Sequence, residues 1–394
     1  MTGGLHLFGV TGVGEVQAGD DLAAVLVEAL AATGERLRPG DVLVISSKVV
    51  SKAEGRVVAA HTRDAQIVAE TVRPVAARRT PTGLARIVEA AAGPVMAAAG
   101  VDNSNVTPGT VLLLPKDPDG AARDLRARLR ELTGTAVGVI VSDTAGRAWR
   151  EGQIDFALGA AGVAVTDDLR GAVDTHGQSL EVTVRALVDE LAAAADLVKG
   201  KLLGVPAAVA RGTGLAVDED GPGAATLLRA ARTDWFRYGH VEAVTASLGA
   251  DPGRIEPPTV PPGPVTERFA RVMALALATP TPWTAAGRPA LAWTTQPDTS
   301  RPDTSQPAAM DPDRGPGRPE PEPALGDPSR VTGIVTLVDL QGRPRTASQP
   351  DDWATLGALA QRIKAAAWAE DLTVELALAP GPPSLHITAS PANP

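Results

Sequence analysis

Residues 251–264 (DPGRIEPPTVPPGP) place six prolines in fourteen positions. Proline has no backbone N–H and a fixed φ, so neither a helix nor a hydrogen-bond ladder runs through such a stretch. It reads as an extended linker that divides the chain. At 394 residues the chain also exceeds one average core, and a large domain followed by a smaller one is the natural expectation. Upstream, residues 1–249 alternate short Val/Ile/Leu runs with Gly/Asp turns and helical stretches. Downstream, a short amphipathic stretch at 265–278 is followed by a segment rich in Pro, Thr, Ser and Asp, with PDTS at 297–300 and again at 302–305. That composition buries too little apolar surface to offset chain entropy, so disorder is expected there. Pattern returns after 331, with a strand-like 331–340, a helix near 353–369 and a strand near 373–378. The expected organisation is a domain at 1–249, a Pro-rich and largely disordered linker with one short helix at 250–330, and a small α/β segment at 331–394.

Within the first domain, 41–45 (DVLVI) and 136–141 (AVGVIV) are short apolar runs of the kind that form buried strands, as are 110–114 and 205–210. Residues 118–132 have helical spacing, with Leu125, Leu129 and Leu132 on one side and arginines on the other. A 3.6-residue apolar period through Val184, Leu187, Val188, Leu191, Ala195 and Val198 predicts the longest helix over 181–202. Strands and helices mix without strict βαβ alternation, so the expected class is α+β.

Composition removes several functions. A formal net charge of −9 opposes binding to nucleic acid or to an anionic membrane, since both need a positive surface. No cysteine is present, which excludes disulfides, thiolate zinc sites and thiol nucleophiles. The start of the chain lacks a basic region followed by an apolar one, and no apolar run of about 18 residues is free of charge. A cytoplasmic protein without a membrane span is the expectation. No GxxxxGK[ST] loop occurs, and Gly9, Gly12 and Gly14 have the wrong spacing for GxGxxG and read as a flexible turn. The five histidines are scattered, without an HExxH pair.

Carboxylates and amides are better candidates. In 97–106 (AAAGVDNSNV), Asp102, Asn103, Ser104 and Asn105 make either a polar turn or a site in which Asp102 ligates Mg²⁺ or Mn²⁺ and Asn105 bonds a nucleotide. Magnesium commonly takes one or two protein carboxylates and completes its shell with phosphate oxygens and water. In 141–153 (VSDTAGRAWREGQ), Asp143 and Thr144 leave the end of a buried strand, and Arg147, Arg150 and Gln153 follow. That set suits a metal-bound polyphosphate; the plain alternative is a capped strand end with solvated arginines. Ser47 and Lys52 form an SxxxxK spacing that serves a phosphate or is an ordinary surface pair. Asp155, and Asp168, Asp174 and His176 of a Gly-rich run, read as turn residues.

Taken in order, VISSKVVSKAEGR (45–56), AAAGVDNSNV (97–106), VSDTAGRAWREGQ (141–153), DLRGAVDTHGQSLEVT (168–183), ELAAAADLVKGK (190–201) and VPAAVARG (205–212) resemble the coenzyme F420:L-glutamate ligase family over about 10–240. The SDTxGRxWRxGQ and AGVDxSN blocks are specific to it. The resemblance implies a gamma-glutamyl ligase-type α+β fold and a homodimer. It also implies GTP-dependent addition of L-glutamate to coenzyme F420-0, then γ-linked extension, through an acyl phosphate. Asp102 and Asp143 would hold the first divalent cation, Mg²⁺ or Mn²⁺, and Thr144 would contact a second. Asn105, Ser47 and Lys52 would touch the nucleotide, with Val13, Gly14, Glu15 and Val16 lining the same pocket and 199–206 closing over it. Lys52, Arg147 and Arg150 would serve the chemistry, the arginines as a clamp on substrate. One departure stands out: the archaeal pattern has an acidic metal ligand near Lys201, and a lysine cannot replace it.

Fused relatives continue into a flavin-binding nitroreductase-like domain that opens with RRSxRxF. No such block occurs here, so no flavin is expected. Residues 353–372 (WATLGALAQRIKAAAWAEDL) resemble a nitroreductase helix, as a remnant of that domain would. The competing readings are a non-catalytic or specialised paralogue that binds nucleotide and a partner, and an amide ligase with another substrate.

Overall fold

In the computed structural model of the chain, residues 4–254, 256–277, 290–297, 330–338, 350–379 and 384–392 are described. They form two compact units, one of residues 1–75 and 86–237, the other of 76–85 and 238–394. The mixture of sheets and helices agrees with the α+β expectation.

The first unit is organised by a five-stranded sheet. Its order is His6–Val10, Ala207–Arg211, Val42–Ser46, Gly138–Arg147, Arg150–Ala161. Only the Val42–Ser46 and Gly138–Arg147 pair is parallel. Side chains alternate across a strand, and here both faces are covered. Leu43, Ile45, Val139, Val141 and Val209 pack on one face with Leu26, Leu30 and Leu129 from the helices Leu22–Ala32 and Pro118–Thr133. Val42, Val44, Ile140, Ala208 and Ala210 face the other way, against Val188, Leu191, Ala192 and Ala195 of the helix Leu187–Lys199. This double burial explains why the strand sequences are continuously apolar. Gly159 allows one close approach, because a Cβ there would lie 2.1 Å from the carbonyl oxygen of Pro118. Asp119 then ties helix to sheet, accepting from the backbone N–H groups of Ala160 (2.8 Å) and Ala224 (2.7 Å).

Two expectations in this unit need correction. The helix expected over 181–202 spans only Leu187–Lys199. Val184–Ala186 instead form a short strand paired antiparallel with Thr166–Asp168, so the apolar Val184 matched the helical period by coincidence. The strand expected to stop at Val141 runs on to Arg147 and turns directly into Arg150–Ala161, making one hairpin.

The second unit has an antiparallel sheet in the order Ala290–Pro297, Val331–Val338, Ser384–Pro391, Leu372–Ala379. Phe269, Val272 and Met273 of the helix Val265–Leu277 share a core with Val335, Leu356, Ile363, Leu385 and Ile387. The helix inside the expected linker therefore belongs to the same core as the C-terminal strands. Ala290–Pro297 is a strand within the span expected to be disordered, while 298–329 lies outside the described residues. Buried Arg268 donates to the carbonyl oxygens of Glu370 (2.7 Å) and Asp371 (2.5 Å), and Arg271 pairs with the Glu370 carboxylate at 2.8 Å. Among the described residues no helix is long and apolar enough to cross a membrane.

Candidate functional site

The carboxyl ends of the two parallel strands open onto one cavity of about 720 Å³. Ser46 pairs with Ser142 across these strands, so the parallel pairing ends there, where the first strand gives way to a helix and the second continues into its hairpin. There Ser46 caps the helix Ser47–Ala53, its hydroxyl accepting from the Lys48 N–H at 3.4 Å. Asp143 and Thr144 stand on the neighbouring strand. The lining also includes Val13, Gly14, Glu15 and Val16, then Lys48, Lys52 and Asn105, and on the far side Asp155, Asp196, Lys199 and Lys201. Segments more than a hundred residues apart in the chain thus converge on one hollow with both signs of charge.

The acidic side is layered. Asp143 keeps some surface, but its carboxyl group is enclosed by protein. Burial is the main cause that pushes it up to about 6, with nearby Asp155 adding to the rise. The Thr144 N–H, the Lys48 charge and the Ser47 hydroxyl oppose that rise. Asp102 also faces Lys48, with which it forms an ion pair, and accepts from the N–H and the hydroxyl of Ser104, each at 2.9 Å. Burial would raise Asp102, but the Lys48 and Ser104 contacts outweigh it and leave the carboxyl below its ordinary value. Asp102 and Asp143 therefore lie around a shared ammonium rather than on opposite sides of the molecule.

The basic side is equally specific. Lys52 is buried and donates to Glu15 at 2.6 Å. Lys199, also buried, donates to Ser142 Oγ at 2.8 Å and to Asp155 Oδ2 at 2.7 Å. Burial pushes Asp155 up, yet Lys199, Thr144 and Lys201 together hold it below the ordinary carboxylate range.

Most residues expected from the sequence are therefore gathered here: Val13, Gly14, Glu15, Val16, Lys52, Asn105, Asp143 and Thr144 line the cavity, with Asp102 behind Lys48. Ser47 is placed differently. It is buried, outside the lining, and its hydroxyl bonds Asp143. Arg147 and Arg150 pair at the exposed tip of the hairpin, outside the cavity, which gives a substrate clamp no support from the cavity geometry. Asp155 is a correction: it sits in the strand Arg150–Ala161, opposite Thr144, and is buried in the site rather than in a turn.

The donor set bears on a metal. Among the described residues no three acidic or histidine side chains converge as a metal-holding group. Two protein carboxylates suffice for Mg²⁺ or Mn²⁺ when nucleotide phosphates complete the shell, and Asp102 and Asp143, each beside Lys48, are two such groups. Around Thr144 the carboxylates of Asp155 and Asp196 are already paired with the ammonium groups of Lys199 and Lys201.

The F420-0:gamma-glutamyl ligase family model matches residues 12–212, just over half of the chain and every residue that lines the cavity. The chain belongs to the F420-0:gamma-glutamyl ligase family. A protein of Methanopyrus kandleri named coenzyme F420:L-glutamate ligase is 41% identical over 241 residues, 57% of this chain and 94% of its own length. Proteins of the same name from Methanothermobacter thermautotrophicus and Archaeoglobus fulgidus are each 40% identical. The first match covers 59% of this chain and 99% of the relative, the second 54% and 89%. In this ligase family member, Lys48, Asp155 and Asp196 line the cavity although sequence reasoning did not single them out, while Lys199 falls in the 199–206 stretch expected to close over it. A hairpin reading of 138–161 would have brought Asp155 opposite Thr144. Lys48 and Asp196 carried no such signal.

Proposed function

We propose that this chain joins L-glutamate to coenzyme F420-0, with GTP as the energy source and Mg²⁺ or Mn²⁺ as cofactor, and then extends the γ-linked tail. The observation that carries this reading is the single cavity shared by the 13–16 loop, Lys52, Asn105, Asp143 and Thr144, in a chain of this ligase family. A homodimer is part of the proposal.

A carboxylate is a poor acyl donor. In the proposed sequence, a carboxylate oxygen of the precursor attacks the γ-phosphorus of GTP, the bond to the β-phosphate oxygen breaks, and GDP leaves. The amine of glutamate then attacks the resulting acyl phosphate, inorganic phosphate departs with the bonding electrons, and the nitrogen loses a proton. Phosphoryl transfer of this kind depends on position and charge neutralisation more than on covalent help from the protein. Lys52 and Lys48 would offset triphosphate charge. Asn105 and the 13–16 loop would orient the nucleotide. Asp102 and Asp143 would hold the cation, which shields phosphate charge when bound. Arg147 and Arg150 would bear only on parts of the precursor that extend beyond the cavity. No side chain of the cavity is placed as a covalent nucleophile, so direct transfer is proposed.

The test is incubation of the full chain with F420-0, L-glutamate, GTP and Mn²⁺, followed by mass analysis. Products heavier by one or more glutamyl units are expected, with little product when ATP replaces GTP. Absence of any glutamylated product would remove this function. Product with another carboxylate acceptor alone would instead favour an amide ligase of different substrate.

A further inference from the structure

We propose that the Lys201 ammonium acts as a built-in cation beside Thr144, so that the nucleotide complex of this chain holds one divalent ion rather than two. The inference rests on the guanine-nucleotide reading above and concerns how the charge of that nucleotide is met.

Three oxygens from separate parts of the fold surround Lys201 Nζ. Thr144 Oγ1 is in direct contact, Asp155 Oδ1 lies at 3.5 Å, and Asp196 Oδ1 at 3.7 Å. A hydroxyl and two carboxylates are the hard oxygen donors a divalent cation would seek. Here the position among them is taken by an ammonium.

The neighbouring lone pairs are also committed. Asp155 Oδ1 accepts from Thr144 Oγ1 at 2.5 Å, while Oδ2 accepts from Ser142 Oγ at 3.1 Å and Lys199 Nζ at 2.7 Å. The side chains of Lys199 and Asp155 are only 5% and 4% exposed. Drawing Asp155 onto a divalent ion would leave Lys199 buried beside an added positive charge, the kind of uncompensated burial that proteins avoid. Locally, the two carboxylates of Asp155 and Asp196 are already matched by the two ammonium groups of Lys199 and Lys201. Around Lys48 the balance is opposite, since two carboxylates, Asp102 and Asp143, face one ammonium. One half of the site invites a cation, and the other half has supplied its own.

Lys201 differs from Lys199 in being 58% exposed along its side chain. Its Nζ can therefore turn toward an entering phosphate while its stem stays at the rim. Unlike a second metal ion, it cannot dissociate.

The full chain, titrated with Mn²⁺ in the presence of a non-hydrolysable GTP analogue, tests this by the paramagnetic resonance of free Mn²⁺. One bound ion per chain at saturation is expected. Lys201→Gln should weaken the analogue about tenfold or more, as loss of a charge-assisted contact does, without changing that count or the melting temperature; Lys201→Arg should recover most of the affinity. Two bound ions on the parent chain, or a Lys201→Gln variant with parental affinity, would overturn the inference and leave the nucleotide reading standing. A parent chain that binds neither the analogue nor Mn²⁺ would remove both.

Discussion

Asp143 offers a test in which stability and function move in opposite directions. Burial raises its carboxyl from 3.8 to about 6, so the folded protein holds that proton more tightly than the unfolded chain does. Between these two values the native state binds more protons, and stability falls as pH rises. Above about 6 the loss is complete. The difference corresponds to about 3 kcal/mol at 1.36 kcal/mol per pH unit, an upper bound because the residue keeps some surface. Asp143→Asn keeps a side-chain acceptor for Ser47 but never ionises. Without metal at pH 7.5, the variant should be about 1–3 kcal/mol more stable than the parent, and the gap should close below pH 4. Urea titrations in EDTA, read by amide exchange in peptides from 138–161, report on the first unit without assuming that the whole chain unfolds in one step. Mn²⁺ with a nucleotide should then stabilise the parent only, and ligation by the variant should be lost. An Asn variant that is less stable at pH 7.5, or offset equally at both pH values, would show that the ionised carboxylate is satisfied by its protein partners and is not held in wait for a cation.

Other substitutions separate site from scaffold. Lys52→Ala should weaken GTP binding about 10–100-fold, the size of a lost charge-assisted contact, as measured by calorimetry with Mn²⁺ present. Asp155→Asn should destabilise the first unit by about 3–5 kcal/mol at pH 7, because Lys199 is left buried without its counter-charge; adding Lys199→Met should recover much of that loss in the same urea assay. The Asp155 carboxyl is lowered, so its contribution is present above the ordinary carboxylate value and disappears as pH falls below it. Arg268→Ala removes a buried guanidinium that serves two carbonyls and should cost about 2–4 kcal/mol, visible as faster exchange in peptides from 372–391. The purified chain should show no visible flavin band.

The strands of the central sheet were legible because both of their faces are covered. DVLVI and AVGVIV have no polar side to hide, and only their length distinguishes them from helix. The hairpin that follows was not legible. Tight two-residue hairpins usually announce themselves with Asn-Gly or Asp-Gly, whereas this one turns at Ala148-Trp149, with Trp149 itself at φ 59. Without the turn, Asp143 and Thr144 read as a strand end and Asp155 as a loop residue, although the pairing Thr144↔Asp155 is fixed once the tip is known. Ser384–Pro391 shows the converse. Its buried Leu385, Ile387 and Ala389 alternate with period two, a readable signal inside the expected α/β segment from which no strand had been drawn.

Charge was the least readable property. Lys199 and Lys201 are separated by one glycine at the end of an amphipathic helix, a setting in which lysines ordinarily lie in water and favour the helix carboxyl terminus. Local sequence gives both the same expectation. What separates them is Asp155, brought under the helix end by a hairpin more than forty residues earlier, whose buried carboxylate accepts Lys199 directly and leaves Lys201 at the rim. On the proposed reading, the number of divalent ions this site takes is set by a tertiary contact. A family motif can name the carboxylates that bind a metal, but whether one ion or two is needed depends on how much positive charge the fold has already placed among them.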